Sequence, residues 1–280
     1  MIQRLAVLGA GTMGHGIAHA AIAGGYDTCL YDVSPPALER ARAAIDEILR
    51  QGVERGKLSQ ADAAAALRRL RPQTDLTAAV AGVEMVIEAV PERIELKLGI
   101  LRELDQLAPE AIIASNTSAL SITEMAASVA RPARVAGMHF FNPVHKMKLV
   151  EIVRALESSA QTLDAIEQVA RRMDKETVLV RESPGFITSR VNAMIGNEAF
   201  YMLQEGVASE RDIDKALRLG LNHPMGPFEL VDLVGLDTRL SVLEFLHKSL
   251  GEKYRPCPLL VQYVKAGRLG KKVGRGVYEY

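Results

Sequence analysis

The stretch RLAVLGAGTMG, residues 4–14, constrains the fold more than any other part of this 280-residue chain. A short apolar, β-prone run ends in glycine, and a G-x-G-x-x-G motif begins on that glycine. Residues 12–23, rich in Ala, Ile, Met and Gly, read as a helix packed closely on a sheet, and Gly24-Gly25 stops it. A second β-prone run covers residues 26–31, with Asp32 at its end. The glycine motif alone is weak. A strand before it, a helix after it and an acid about 20 residues on supply the context in which it cradles a dinucleotide. Gly9 permits the tight turn, Gly11 lets backbone approach a pyrophosphate, and Gly14 allows close helix–strand packing. The helix N-terminus then offers free N–H groups and positive dipole to phosphate. Asp32 would accept hydrogen bonds from adenosine ribose hydroxyls, and its charge opposes a 2′-phosphate, which favours NAD over NADP. The competing reading is a glycine-rich turn without ligand.

Further on, Ser34 is a good N-cap with Pro35 at the first helical position, opening a helix that runs to about Arg55, and Ser59 opens another. Strand signals recur at residues 83–90, 111–115, 134–140, 149–153 and 177–180. Strands alternating with helices imply an α/β fold with a mainly parallel sheet and helices on both faces. After Ser183-Pro184-Gly185 the pattern turns helical to about Val264, with almost no strand signal. The expected organisation is a nucleotide-binding domain over residues 1–184 and a small all-α domain over 185–280. Lys plus Arg and Asp plus Glu number 34 each, so no global field draws the chain to nucleic acid or an anionic membrane. No run is apolar enough to span a bilayer, and no cationic, apolar leader opens the sequence. Cys29 and Cys257 have neither CxxC nor His/Cys spacing, so neither a metal site nor a disulfide framework is expected. The compartment expected is the reducing cytoplasm.

HFFNPVHKMKLVEIV, residues 139–153, sets a histidine at the end of one apolar run and a glutamate inside the next. His139 ends a strand, where open α/β sheets place their ligands. Asn142-Pro143 signals a turn, which brings Glu151 back beside His139. A carboxylate on one imidazole nitrogen fixes the tautomer and leaves the other to take a proton. That suits oxidation of an alcohol beside NAD⁺. The alternative is a structural histidine in a buried ion pair. His15, His19, His145 and His247 have no comparable setting and read as structural or surface residues; His223, in a Pro/Gly turn region, stays open.

Taken together, the motifs resemble the short-chain (S)-3-hydroxyacyl-CoA dehydrogenase family, most of all its bacterial 3-hydroxybutyryl-CoA members. The resemblance covers nearly the whole chain. It is carried by GAGTMG, EAVPERIELK (88–97), SNTSALSI (115–122), HFFNPVHKMKLVEIV, SPGFITSR (183–190), DIDKALRLGLNHPMGPFELVDLVGLD (212–237) and GKKVGRGVY (270–278). It implies a Rossmann-type domain followed by a helical domain that forms a homodimer, and NAD-dependent interconversion of (S)-3-hydroxyacyl-CoA and 3-ketoacyl-CoA. It implies His139 as base, Glu151 as its orienter, and Ser118 as hydrogen-bond donor to the reacting oxygen. It assigns Thr12 and Met13 within the glycine motif, with Glu92, Lys97, Asn142 and Lys272, to the cofactor site. The polar run at 115–118, the charged stretch at 92–97 and the basic tail each have a plain alternative as turn, solvated helix and flexible end. One departure stands out. The family pattern PGFxxNR is here PGFITSR, which puts Ser189 in place of a substrate-contacting asparagine, with Asn192 three residues on and on the same helical face. Arg50, Arg55 and Lys57, near the end of the helix after Asp32, are candidates for the CoA phosphates. A 3-hydroxyadipyl-CoA or free hydroxy-acid substrate, or a non-catalytic nucleotide binder on the same fold, remain as alternatives.

Overall fold

Residues 2–280 are described by the structure, a computed structural model. The chain divides into two units, one ending at Glu182 and the other spanning Ser183–Tyr280.

One eight-stranded sheet carries the first unit. Its strands are β1 (Arg4–Leu8), β2 (Asp27–Tyr31), β3 (Leu70–Gln73), β4 (Met85–Glu88), β5 (Ile112–Ser115), β6 (Val135–Phe140), β7 (Leu149–Arg154) and β8 (Glu176–Arg181). They stand in the order β3-β2-β1-β4-β5-β6-β7-β8. Every neighbouring pair is parallel except β6 and β7. The connections are carried by α1 (Thr12–Ala23), α2 (Pro35–Glu54), α3 (Gln60–Arg68), α4 (Leu76–Val80), α5 (Ile94–Leu107), α6 (Ile122–Ala126) and α7 (Ala160–Arg172). The central strands are buried throughout, as in β1 from Leu5 to Leu8 and all of β4, so they read as continuous apolar runs rather than alternating ones. Ser34 and Ser59 cap α2 and α3 through their hydroxyls.

One strand lies outside the sequence expectation. The segment LRPQ of β3 carries a charge and a proline and shows no strand pattern. It survives because it is the edge of the sheet, paired with β2 alone, where a missing N–H costs little.

From β1 the chain first builds outward through β2 and β3, then returns to the other side of β1 with β4. The crevice outside the carboxyl ends of these two strands is where such sheets bind ligands.

Five helices form the second unit: α8 (Thr188–Gln204), α9 (Glu210–Gly220), α10 (Pro227–Val234), α11 (Leu236–Leu250) and α12 (Pro258–Lys265). Phe200 sits at the centre, edge-on to Phe228 at 5.2 Å and to Tyr263 at 5.7 Å. Two buried carboxylates fasten the C-terminal segment. Asp232 accepts from the backbone N–H of Val277 and Tyr278 and from the Tyr280 hydroxyl. Asp214 accepts from the N–H of Phe228 and Glu229 and from the Tyr278 hydroxyl. Strand-like pairing in this unit is confined to isolated bridges at Gly270–Arg275 and Arg275–Glu279.

Candidate active site

The glycine turn joins β1 to α1. Gly9 has φ 95°, and a Cβ on it would lie 2.6 Å from the Ala89 carbonyl oxygen. A Cβ on Gly14 would fall 1.6 Å from the Gly9 carbonyl oxygen. Both positions therefore exclude a side chain. Gly11 differs: a Cβ there meets nothing within 4 Å, so its missing side chain leaves open space above the backbone. Gly11 is also the N-cap of α1, which has no side-chain cap and no acid in its first turn. Thr12 and Met13 occupy that turn, Thr12 exposed and Met13 half-buried. An uncapped helix N-terminus beside open space fits a pyrophosphate. Asp32, at the end of β2, accepts from Ala10 N at 2.8 Å and from Ser34 N at 2.9 Å. It thus ties the glycine turn to the start of α2, and each oxygen retains a further lone pair for a ribose hydroxyl.

Three strands along from β1, β6 carries His139 one residue before its end. The antiparallel register sets His139 directly opposite Glu151 of β7. His139 Nδ1 lies 2.7 Å from Glu151 Oε2; Glu151 is fully buried and His139 is 6 % exposed. The Phe141 ring packs on the imidazole at a centroid distance of 4.5 Å. The carboxylate on Nδ1 fixes the orientation of the imidazole.

Between these two features lie the ends of β4 and β5, and here the structure shows a network that sequence reasoning missed. Glu88, the last residue of β4, is fully buried. Its Oε1 accepts from Lys97 Nζ at 2.6 Å and Val90 N at 2.8 Å, and its Oε2 accepts from Ser115 Oγ at 2.6 Å. Lys97, 1 % exposed, also reaches Glu92 Oε2 at 3.4 Å. Glu92 Oε1 in turn accepts from the Thr117 hydroxyl and from Ser118 N at 3.0 Å. A chain of charges, Glu88–Lys97–Glu92, thereby sets the loop that presents Ser118. Asn116 adds a second tie, its Oδ1 accepting from Phe140 N at 2.9 Å, beside His139. The one available signal was Glu88 itself, a carboxylate inside VIEAV.

The other residues named from the sequence lie on separate elements. Lys97 is no solvated helix residue but a buried one turned onto Glu88. Asn142 is exposed in the β6–β7 connection, ahead of a cis peptide to Pro143. Arg50 is ion-paired with Glu47 and Glu54, while Arg55 and Lys57 are exposed just past α2. In the second unit, Ser189 and Asn192 share the first turn of α8, both half-buried, and Lys272 closes on both carboxylate oxygens of Asp237 at 2.6 Å. A cavity of the first unit at the opposite, amino ends of the strands, beside Tyr26, Glu84, Ile112 and Arg134, contains none of these groups.

A dinucleotide cradle with a buried imidazole–carboxylate pair on the same end of one sheet defines a nicotinamide-dependent oxidoreductase. Comparison with known proteins narrows the class. Residues 4–183 match the NAD binding domain of 3-hydroxyacyl-CoA dehydrogenase, and residues 185–280 match its C-terminal domain. The chain is 46 % identical to a probable 3-hydroxybutyryl-CoA dehydrogenase of Bacillus subtilis, over 100 % of this chain and 98 % of the relative. It is 42 % identical to the Escherichia coli 3-hydroxyadipyl-CoA dehydrogenase, over 100 % of this chain and 59 % of that protein. The crystal structure of (S)-3-hydroxybutyryl-CoA dehydrogenase from Ralstonia eutropha superposes with a TM-score of 0.97 at 43 % identity, covering 100 % of this chain and 99 % of that one. This chain belongs to the 3-hydroxyacyl-CoA dehydrogenase family.

Proposed function

We propose that this protein interconverts (S)-3-hydroxybutyryl-CoA and its 3-keto ester with NAD, using His139 as general base and Glu151 as its positioning partner. The observation that carries the reading is the His139–Glu151 pair, set opposite each other by the β6–β7 register at the same end of the sheet as the glycine turn. His139 Nε2 takes the proton of the 3-hydroxyl as the bond from C3 to its hydrogen breaks. Glu151, buried and 2.7 Å away, stabilises the imidazolium that forms. NAD⁺, when bound, accepts the hydride. Ser118, held through Glu92, donates to the reacting oxygen and moderates its charge. Gly9, Gly11 and Gly14 with the first turn of α1 receive the pyrophosphate, and Asp32 the adenosine ribose. Glu92, Asn142 and Lys272 complete the cofactor contacts, and Lys97, buried against Glu88, positions Glu92 among them. Ser189 takes the place of the family's asparagine at the substrate, with Asn192 beside it, and Arg50, Arg55 and Lys57 form the group from which the CoA phosphates draw their cations.

Exposed apolar side chains on the helical unit, among them Val191, Leu219, Leu221 and Leu233, support a homodimer formed there. Two buried, unpaired thiols support a reducing, cytoplasmic setting, and no helix among the described residues is long and apolar enough to cross a membrane. The test is NADH formation from (S)-3-hydroxybutyryl-CoA beside the (R) isomer and free 3-hydroxybutyrate. Turnover confined to the (S) CoA ester is expected. Equal turnover of the free acid, or of the (R) isomer, would overturn the substrate assignment.

A further inference from the structure

Strand β5 ends before its neighbour does. Its parallel ladder with β6 stops at Ser115 opposite Gly137, while β6 runs on through Met138 and His139 to Phe140. The chain leaves the sheet after Ser115 because the Thr117 hydroxyl accepts from Ala119 N at 3.3 Å and Leu120 N at 3.0 Å, which closes a turn. Phe140 is 2 % exposed, so its N–H has little access to water on the side that β5 has left. An unmet buried donor is costly, and something other than strand backbone must meet this one.

Asn116 meets it. Its Oδ1 accepts from Phe140 N at 2.9 Å, where a longer β5 would have offered a backbone carbonyl. The partner is a donor, so the oxygen end of the amide is the one that faces β6. The Asn116 backbone is fixed separately, its N–H donating to the Glu88 carbonyl oxygen at 2.8 Å. One residue thus bonds to β4 through its backbone and to β6 through its side chain. Ser118 follows it by two positions, and His139 immediately precedes Phe140. Ser118 is held in turn by Glu92, which accepts from Ser118 N at 3.0 Å.

We propose that Asn116 is a positioning residue for the reaction: by standing in for the missing rung of β5, it sets His139 against the loop that carries Ser118. The proposal rests on the reading of His139 as base and Ser118 as donor to the reacting oxygen. A hydroxyl that gives its proton to the one while accepting from the other needs both within hydrogen-bond reach at once. A drift of about 1 Å between two such groups costs on the order of 10²-fold in rate, and at Phe140 the bond to Asn116 resists that drift.

The experiment measures kcat and both KM values with (S)-3-hydroxybutyryl-CoA and NAD⁺ in wild type, Asn116→Ala, Asn116→Asp, Ser118→Ala and the double variant Asn116→Ala/Ser118→Ala. Asn116→Ala removes the acceptor, and kcat is expected to fall about 10- to 100-fold with both KM values within about threefold of wild type. Asn116→Asp keeps an oxygen where the amide oxygen stood, and most of the rate returns. The double variant loses less than the product of the two single losses, because aligning Ser118 gains nothing once its hydroxyl is gone. Wild-type kcat in Asn116→Ala, an Asn116→Asp as impaired as Asn116→Ala, or two losses that multiply in full would each overturn the proposal. If Asn116→Ala does not melt cooperatively, Asn116→Ser, whose hydroxyl is too short to reach Phe140 N, takes its place under the same expectations. A wild type that does not turn over the ester overturns the reaction assignment and this proposal with it, whereas an active wild type with any of the contrary results strikes the proposal alone.

Discussion

Replacing Glu151 by glutamine keeps the shape of the buried pair and removes its charge. The carboxylate is fully buried and 2.7 Å from His139 Nδ1, so the imidazolium formed during proton transfer loses its counter-charge where solvent cannot substitute. Two unit charges about 4 Å apart interact by roughly 4 kcal/mol at the effective dielectric suited to protein sites. A neutral hydrogen bond from the amide returns about 1 kcal/mol. The net loss of about 2–4 kcal/mol corresponds to a fall in kcat of about 30- to 1000-fold. The assay is NADH formation at saturating NAD⁺ and (S)-3-hydroxybutyryl-CoA, with a fluorescence titration of NADH binding alongside. The account expects kcat to fall in that range while NADH affinity changes by less than about twofold, because Glu151 acts through His139. A kcat within about threefold of wild type, in a protein that melts normally, would refute the reasoning that the charge of Glu151 serves the transition state.

Three further predictions follow from the geometry. Glu88→Gln leaves the Lys97 ammonium buried with only half-exposed Glu92 beside it, so a loss of about 3–5 kcal/mol in urea melts is expected; the charge-free double variant Glu88→Gln/Lys97→Met recovers most of it, and additive losses would contradict the pairing. Gly14→Ala drives a methyl to 1.6 Å from the Gly9 carbonyl oxygen, so the turn must move and NADH affinity must drop by at least about tenfold in a fluorescence titration; undiminished affinity would remove the turn from the cofactor site. His19 is held down to about 4, first by burial and then by His145, Lys175 and His15, and its Nδ1 has no partner among the described residues. The unfolded chain therefore binds this proton first, and stability complete above about pH 6.5 is lost as pH falls toward 4, by about 3 kcal/mol. His19→Gln should flatten that part of the stability–pH curve, and a curve parallel to wild type would contradict the assignment.

Much of this architecture is written in local pattern. The run RLAVL, the motif GAGTMG and the caps Ser34 and Ser59 each agree with the element they form, because strand, turn and cap chemistry act over a few residues. The pairing of His139 with Glu151 was legible for the same reason: a turn at Asn142-Pro143 between two apolar runs leaves few ways to return. What was not legible depends on distant partners. β3 exists because β2 offers an edge, and no feature of LRPQ announces it. Lys97 looks like a surface residue in ERIELK, and only the burial of Glu88 nine positions earlier turns it inward. Asn116 holds the end of β6 from a neighbouring strand, a contact that sequence separation hides.

The central claim is that His139 takes a proton while C3 of a 3-hydroxyacyl-CoA gives up its hydrogen to NAD⁺. The direct measurement is the reaction of (S)-3-hydroxybutyryl-CoA deuterated at C3, with the mass of the NADH product and the rate recorded for wild type and His139→Gln. The account predicts deuterium in the NADH of both proteins, with kcat lower by about 10²- to 10⁴-fold in the variant. NADH without label, or a variant that keeps the wild-type rate, would contradict it.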